Sequence, residues 1–444
     1  MKARCAKLIC VGIIAMLLVS CVQKPAAQKQ DTSLIQTNTE EQLVAEDFPV
    51  LKMEKVFPIP FDMYAYRPLL LQENQFFYRD FDFDTHLEHY LALNIDSKKI
   101  QWDKTYPDLE FPITNPPQLI QDLVLFPSSN GDKHAFESKI LALNIEDGTK
   151  RWLCNLDDSF GSMTLIQNTL FVASWSHLYA LDFQTGKLLW SKSIYDFFPG
   201  FSKEKDYYHI NTISSNQNTL FVGYTFEKDI KDTSRTNYYG CLSIQPSNGS
   251  MLWKYEKKYS EWVCIEEEDF EVLDSYLLAY GFTLLDCNSG KMLWQFKPEN
   301  LKTGSFYLEY IVSSQLLLYQ TNREQGYSTY LTGLDITTGQ EKWKQGLNVK
   351  GNLNFDLSSF NVDQNHLTDQ ILTFNPNVHD NQTLIDSLDV YDSKNGKLLQ
   401  SYEMPVSCWF RDLKSEIRFH QRWWYFIGTS PQGDILFRFQ LKEK

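Results

Sequence analysis

The sequence predicts an all-β chain folded as a single β-propeller of four-stranded antiparallel blades. Three observations carry that expectation. A turn-and-tryptophan unit recurs along the chain, its copies are spaced about one blade apart, and the two ends of the folded region look like halves of one further blade.

The cleanest copy of the unit is Leu181-Asp182-Phe183-Gln184-Thr185-Gly186-Lys187-Leu188-Leu189-Trp190. Asp286 to Trp294 and Asp335 to Trp343 match it. Weaker copies end at Trp102, Trp152 and Trp253, with Asn94, Asn144 and Gln245 in the aspartate place. Lys98 replaces the glycine in the first of these. A further copy, from Asp392 to Gln400, keeps Gly396 and has Gln in the tryptophan place. The hexapeptide Gln167 to Val172 recurs letter for letter at Gln217 to Val222, and Leu91 to Asn94 recurs at Leu141 to Asn144.

Each unit has a direct physical reading. An alternating apolar strand such as His177 to Leu181 comes first. The aspartate then accepts backbone N–H bonds and starts a turn. The glycine takes the positive φ that closes a short hairpin. A second strand follows, and its Trp supplies a large apolar surface. A lone hairpin is marginal in water, so the units must stack and share faces. The tryptophans lie from 38 residues (Trp152 to Trp190) to 63 residues (Trp190 to Trp253) apart. Blades of about 40–50 residues with loop insertions fit that spacing. The Asp-x-x-Thr-Gly-x-x-x-Trp pattern resembles the pyrroloquinoline-quinone (PQQ) type propeller repeat, over nearly all of residues 48–444.

The C-terminal stretch Trp423 to Ile427, Pro431-Gln432-Gly433 and Ile435 to Phe439 reads as an eighth inner hairpin with no outer strand after it. The segment Val50 to Phe57 reads as that missing strand. Eight blades closed by an N-terminal strand are therefore expected, with seven as the alternative. Closure removes the exposed strand edges that template aggregation.

The N-terminus carries a separate signal. Lys2, Arg4 and Lys7 precede an apolar stretch from Leu8 to Leu18, too short to span a bilayer as a mature helix. Leu18-Val19-Ser20-Cys21 follows and resembles a bacterial lipobox, which implies acylation at Cys21. Residues 1–20 are read as a lipoprotein signal peptide and 21–47, polar and free of aromatics, as a flexible tether. Val22 after the lipidated cysteine points to the outer membrane, on its periplasmic side or at the cell surface.

The chain has 444 residues, of which 15% are aromatic, so a large core is available. A formal net charge of -14 argues against a nucleic-acid partner, since no basic field displaces counterions from phosphates. Of eight cysteines, Cys154, Cys241, Cys264, Cys287 and Cys408 remain beyond Cys21, with no C-x-x-C or adjacent pair. They read as small buried hydrophobes, with room for one disulfide. No nucleophile elbow, P-loop, zincin or dinucleotide motif occurs. Asp80, Asp82 and Asp84 alternate with phenylalanines, and strand alternation accounts for them better than a Ca²⁺ loop does. His86 and His89 lack further zinc ligands at a recognisable spacing. Glu266 to Asp269 reads as a solvated acidic loop. No catalytic residue, metal or cofactor is assigned, and no enzymatic activity is expected.

The extra loop length falls on the face opposite the glycine turns. The connector from Ile194 to Thr212 holds Tyr195, Phe197, Phe198, Phe201, Tyr207 and Tyr208. These rings read either as a partner-binding surface or as caps on the core beneath a long loop. A lipid anchor joined to a propeller resembles the BamB-type lipoproteins, which implies a non-catalytic scaffold that holds envelope proteins during outer-membrane protein assembly. Two other readings stay open: a PQQ-dependent dehydrogenase-like enzyme, and a glycan- or peptide-binding surface lipoprotein.

Overall fold

The computed structural model describes residues 52–441 with interruptions, the longest at 59–69, 107–116, 259–269, 348–369 and 405–417. Residues 48–444 form one compact unit. The predicted signal peptide, Cys21 and the tether lie outside the described residues.

The described residues fold into eight antiparallel sheets taken in chain order, at 70–105, 118–156, 160–193, 207–258, 271–295, 304–347, 370–403 and 418–439. Seven of them have four strands. The seventh shows three, the segment before it lying outside the described residues. The predicted all-β fold is thus what the chain adopts. The strand Met53–Pro58 pairs with Gly433–Phe439 as the outermost strand of the eighth sheet, with Met53 opposite Phe439 and Pro58 opposite Ile435.

Why the sheets form a ring is visible in the clusters between them. First strands touch first strands: Thr164 and Ser215 share a hydroxyl hydrogen bond at 2.7 Å, and the Ile213 amide donates to Ser162 Oγ at 2.9 Å. Sheet faces then pack pairwise. Phe77, Tyr90 and Trp102 of sheet 1 meet Val124, Phe126 and Leu141 of sheet 2. Leu388, Val390 and Tyr402 of sheet 7 meet Trp424, Phe426 and Phe437 of sheet 8. The seam is closed by Val56, Tyr425 and Leu436 of sheet 8 against Phe76, Leu91 and Leu93 of sheet 1. Within sheet 8, Arg438 ties in the first strand, donating to Glu54 at 2.7 Å and lying 4.1 Å over the Trp423 ring.

The repeat works as a non-local clasp. In sheet 3 the Gly186 amide donates to the Asp182 carbonyl at 2.8 Å, and the Asp182 carboxylate accepts from the Thr185 amide and hydroxyl at 2.9 and 2.6 Å. Gly186 has φ +67°. A Cβ there would lie 2.7 Å from Trp152 of the preceding sheet. The Trp152 indole N–H donates to the Phe183 carbonyl in the same turn at 2.9 Å. The pattern repeats around the ring. Trp102, Trp190, Trp253 and Trp294 donate to Ile145, Pro246, Cys287 and Ile336, each one residue past the turn's first position in the next sheet. Gly396 lies in the same way under Trp343. Each glycine therefore serves two needs, a left-handed backbone and room for an indole.

Two irregularities follow from this logic. Lys98 adopts φ +54° at the glycine position of sheet 1. Sheet 8, which precedes it, brings Met53–Pro58 and no docking Trp, so a side chain is sterically allowed there. Gln400 stands where sheet 7 would carry its Trp, and its side-chain amide turns back to the Ser401 carbonyl at 3.0 Å. Trp424 and Phe439, their rings stacked 6.4 Å apart, occupy that interface instead.

Candidate interaction face

The glycine turns mark one end of the ring. The opposite end carries the hairpins between second and third strands and the connectors between sheets. There the sequence places Asp158 in the sheet 2–3 connector, and Ser174-Trp175-Ser176-His177 in the hairpin of sheet 3.

These residues converge on one carboxylate. Asp158 Oδ2 accepts from Ser174 Oγ at 2.9 Å, the Ser176 amide at 2.8 Å and Ser176 Oγ at 2.7 Å. Its Oδ1 accepts from the Ser159 amide at 2.8 Å. His177 Nδ1 lies 2.9 Å from Ser176 Oγ and 3.6 Å from Asp158 Oδ2. Burial pushes the Asp158 carboxyl upward, but the bonds from His177, Ser176 and Ser174 outweigh it and hold the group well below the usual carboxylate range. Tyr179 alongside is pushed up to about 12 by burial and then by the Asp158 and Asp157 charges.

The network fixes the hairpin that displays Trp175. The Trp175 amide donates to the Ser159 carbonyl at 3.2 Å, and the Ile210 amide donates to the Trp175 carbonyl at 2.8 Å. The indole is 40% exposed and meets His209 edge to face at 5.3 Å. Burial pulls the His209 imidazole down, so it stays neutral further into the acid range. A half-exposed Trp beside an imidazole held neutral by burial, with its backbone held from two elements outside its own hairpin, is the arrangement of a contact anchor. The same Nδ1 of His177 faces both the Ser176 hydroxyl and the Asp158 carboxylate. The serine hydroxyl is shared between the carboxylate and the histidine.

Four of the six connector aromatics have described side chains, and these fall elsewhere. Phe197, Phe198 and Tyr208 are buried in the cluster shared by sheets 3 and 4, and Tyr195 is half-buried against it. Phe198 stacks on Tyr208 at 4.6 Å, Tyr208 on Phe226 at 4.8 Å and Phe226 on Tyr238 at 4.5 Å. A capping box at Ser193 and Asp196 folds Ile194–Phe197 into a 3₁₀ turn that drives these rings inward. The partner-surface reading is therefore corrected for Phe197, Phe198 and Tyr208: they cap the core. Phe201 and the side chain of Tyr207 lie outside the described residues.

Other sequence candidates resolve simply. His89 pairs with Asp103 at 2.9 Å on the adjacent strand. Asp80 and Asp82 lie in the strand Gln75–Asp82, opposite His89 and Leu87. His86, Asp84 and the 266–269 run lie outside the described residues. Cys154, Cys241 and Cys287 are free thiols, the last two buried, while Cys264 and Cys408 lie outside the described residues. No group of three His, Cys, Asp or Glu side chains that could hold a metal ion occurs among the described residues.

Comparison with known proteins agrees with this architecture. Residues 85–198 match the family model described as outer membrane protein assembly factor BamB. A quinohemoprotein alcohol dehydrogenase of Comamonas testosteroni is 23% identical over 213 residues, covering 46% of this chain and 23% of its own length. The chain thus spans less than a quarter of that curated relative. Among solved structures, quinohemoprotein alcohol dehydrogenase ADHIIG from Pseudomonas putida HK5 superposes with a TM-score of 0.58 at 9% identity, covering 88% of this chain and 77% of its own. A europium-containing methanol dehydrogenase gives 0.50 at 9% identity, covering 88% and 93%. BamB from Moraxella catarrhalis gives 0.49 at 12% identity, covering 87% and 100%. The chain has the β-propeller fold of these dehydrogenases, and its 85–198 segment resembles the family described as outer membrane protein assembly factor BamB.

Proposed function

We propose, starting from a PQQ-type propeller with a BamB-like segment, that the chain is a non-catalytic scaffold anchored through Cys21 and that it holds protein partners in the cell envelope. The observation that carries this reading is Trp175, the single large exposed aromatic ring among the described residues, mounted on the Asp158 network at the connector end. Buried rotamer-locked supports and an exposed indole give contact area at low entropic cost, which is how interface hot spots are built. The net charge of -14 belongs to the chain as a whole, and recognition is left to local contacts. The proposed site of action is the periplasmic side of the outer membrane, with outer-membrane barrel assembly proteins as the partners.

A photo-activatable amino acid at position 175 in the producing cell tests this, with position 187 at the turn end as the comparison. Cross-links from 175, and not 187, to barrel-assembly proteins support the scaffold. Cross-links to glycan, or none at either position, contradict it.

The dehydrogenase reading rests on the 213-residue similarity to the quinohemoprotein. The quinone would supply two-electron oxidation and would need a Ca²⁺ ligand set beneath it. Among the described residues no three His, Cys, Asp or Glu side chains come together as a metal site, so the sequence similarity is what supports this second reading. Dye reduction by the purified chain with added quinone, Ca²⁺ and a primary alcohol would reinstate the enzyme.

A further inference from the structure

The turn end of the ring carries a different surface. Among the described residues, eight of the nine large apolar side chains left exposed occupy two equivalent places in the repeat. They stand between the glycine turn and the Trp position on the outermost strand. The register explains the exposure. In every sheet with this turn the outer strand slips by one residue just before the Trp or Gln400. Leu181 faces Leu188 and Ala180 faces Trp190, leaving Leu189 unpaired. Leu252 and Leu293 are unpaired in the same way in sheets 4 and 5. Such a bulge re-aims the Trp towards the next sheet and turns its own residue outward.

What stands at these places differs around the ring. Sheets 3, 4 and 5 present Leu188-Leu189, Met251-Leu252 and Met292-Leu293, all between 42% and 53% exposed. Sheets 2 and 6 present Lys150-Arg151 and Glu341-Lys342, and sheets 1 and 7 expose one apolar side chain each, Ile100 and Leu398. The pairs with both apolar members exposed therefore form one arc over three successive sheets, flanked by the exposed Lys187 and Lys291. A long apolar arc flanked by lysines suits the interfacial zone of a bilayer, where the Leu and Met side chains insert and ammonium heads reach the lipid phosphates. It suits water poorly.

A second observation selects the occupant. The strand Met53–Pro58 starts at the turn end, with Met53 opposite Phe439 just as Leu188 is opposite Leu181. The chain therefore enters sheet 8 at that same end. If Cys21 carries lipid, the stretch from Cys21 to Met53 reaches about 100 Å when fully extended. That is ample for the arc to lie on the membrane holding the anchor.

We infer that the turn-end arc of sheets 3–5 is a membrane-contact surface that lays the ring on an anionic bilayer with its Trp175 end facing away. This rests on the anchored-scaffold reading, and its test separates the two. The full chain bearing an environment-sensitive dye at Leu189→Cys or Leu293→Cys, or at the exposed Glu137→Cys of the opposite end, is mixed with phosphatidylethanolamine–phosphatidylglycerol vesicles. The unsubstituted chain supplies the background from native thiols. Emission at 189 and 293 should rise about threefold and be quenched by lipids brominated on their acyl chains, while 137 is unchanged. Equal responses at both ends, no response, or a rise at 189 caused by protein concentration without vesicles overturns the inference. Mass spectrometry of the mature N-terminus reads the anchor independently. An unacylated Cys21 sinks the anchor, yet the arc must still respond to vesicles for the inference to stand.

Discussion

Replacing Gly186 by alanine tests the clasp at its tightest point. The residue sits at φ +67°, and its new Cβ would come 2.7 Å from Cδ2 and Cε3 of Trp152, which is itself buried. The left-handed backbone alone costs an alanine about 1–2 kcal/mol. The clash cannot be relieved by the methyl moving, so Trp152 must retreat from the turn. Overpacking of that kind adds about 1–3 kcal/mol, for a total of about 2–5 kcal/mol. The control is Lys98→Gly at the equivalent turn of sheet 1. There φ is +54° and a side chain is already accommodated, so the change should stay within about 1 kcal/mol of neutral. Urea unfolding followed by tryptophan fluorescence measures both. A Gly186→Ala loss under about 1 kcal/mol, or a Lys98→Gly loss equal to it, would refute the idea that the glycines are required by the preceding sheet's indole.

Further outcomes follow from the same contacts. Trp152→Phe keeps most of the packing but strands the Phe183 carbonyl, and should cost about 1–3 kcal/mol in the same unfolding assay. The Asp158 carboxyl is held below its unfolded value, so its contribution is present above the unfolded pKa and is lost as pH falls through the folded one. Asp158→Asn should therefore lower stability by about 1–2 kcal/mol at pH 7 and flatten the acid limb below about pH 4, read by urea midpoints across pH. Burial raises the Cys154 thiol to about 11 and the Cys287 thiol to about 12, and raises Cys241 as well. These three thiols should stay unreactive towards a disulfide reagent at pH 7.5 until denaturant is added.

How much of this was legible in the sequence depends on range. The turn at Asp182 to Gly186 is a local event, since a carboxylate and a positive φ act within five residues, and the hairpins could be read letter by letter. The closing strand was readable because an unpaired apolar segment near residue 50 and an unfinished hairpin at 423–439 had only each other. The partner of each Trp was not legible. Trp152 meets Gly186 across two sheets, and only the ring geometry brings them together. Nor could sequence alone decide whether the connector aromatics faced water or core, because alternation is lost in loops. The 3₁₀ turn at Ile194–Phe197 settled it for Phe197. The Asp158 network was missed altogether. A weak signal existed in Ser174-Trp175-Ser176-His177, where a Trp stands in a two-residue hairpin turn that has no packing need for one. Its carboxylate comes from a different sheet's connector, and no local pattern links the two.

Ring closure by the first strand is the claim on which the rest depends, and a single cross-link tests it. Glu54 and Arg438 are 384 residues apart in sequence and directly opposed across the outermost pair of strands. In the Glu54→Cys/Arg438→Cys double variant the paired Cβ atoms fall within disulfide range. Mild oxidation should convert the native monomer to a compact, faster-migrating form on a non-reducing gel, and prior denaturation should abolish it. Failure to link in the native state, or linkage between chains only, would contradict a propeller closed by its own N-terminal strand.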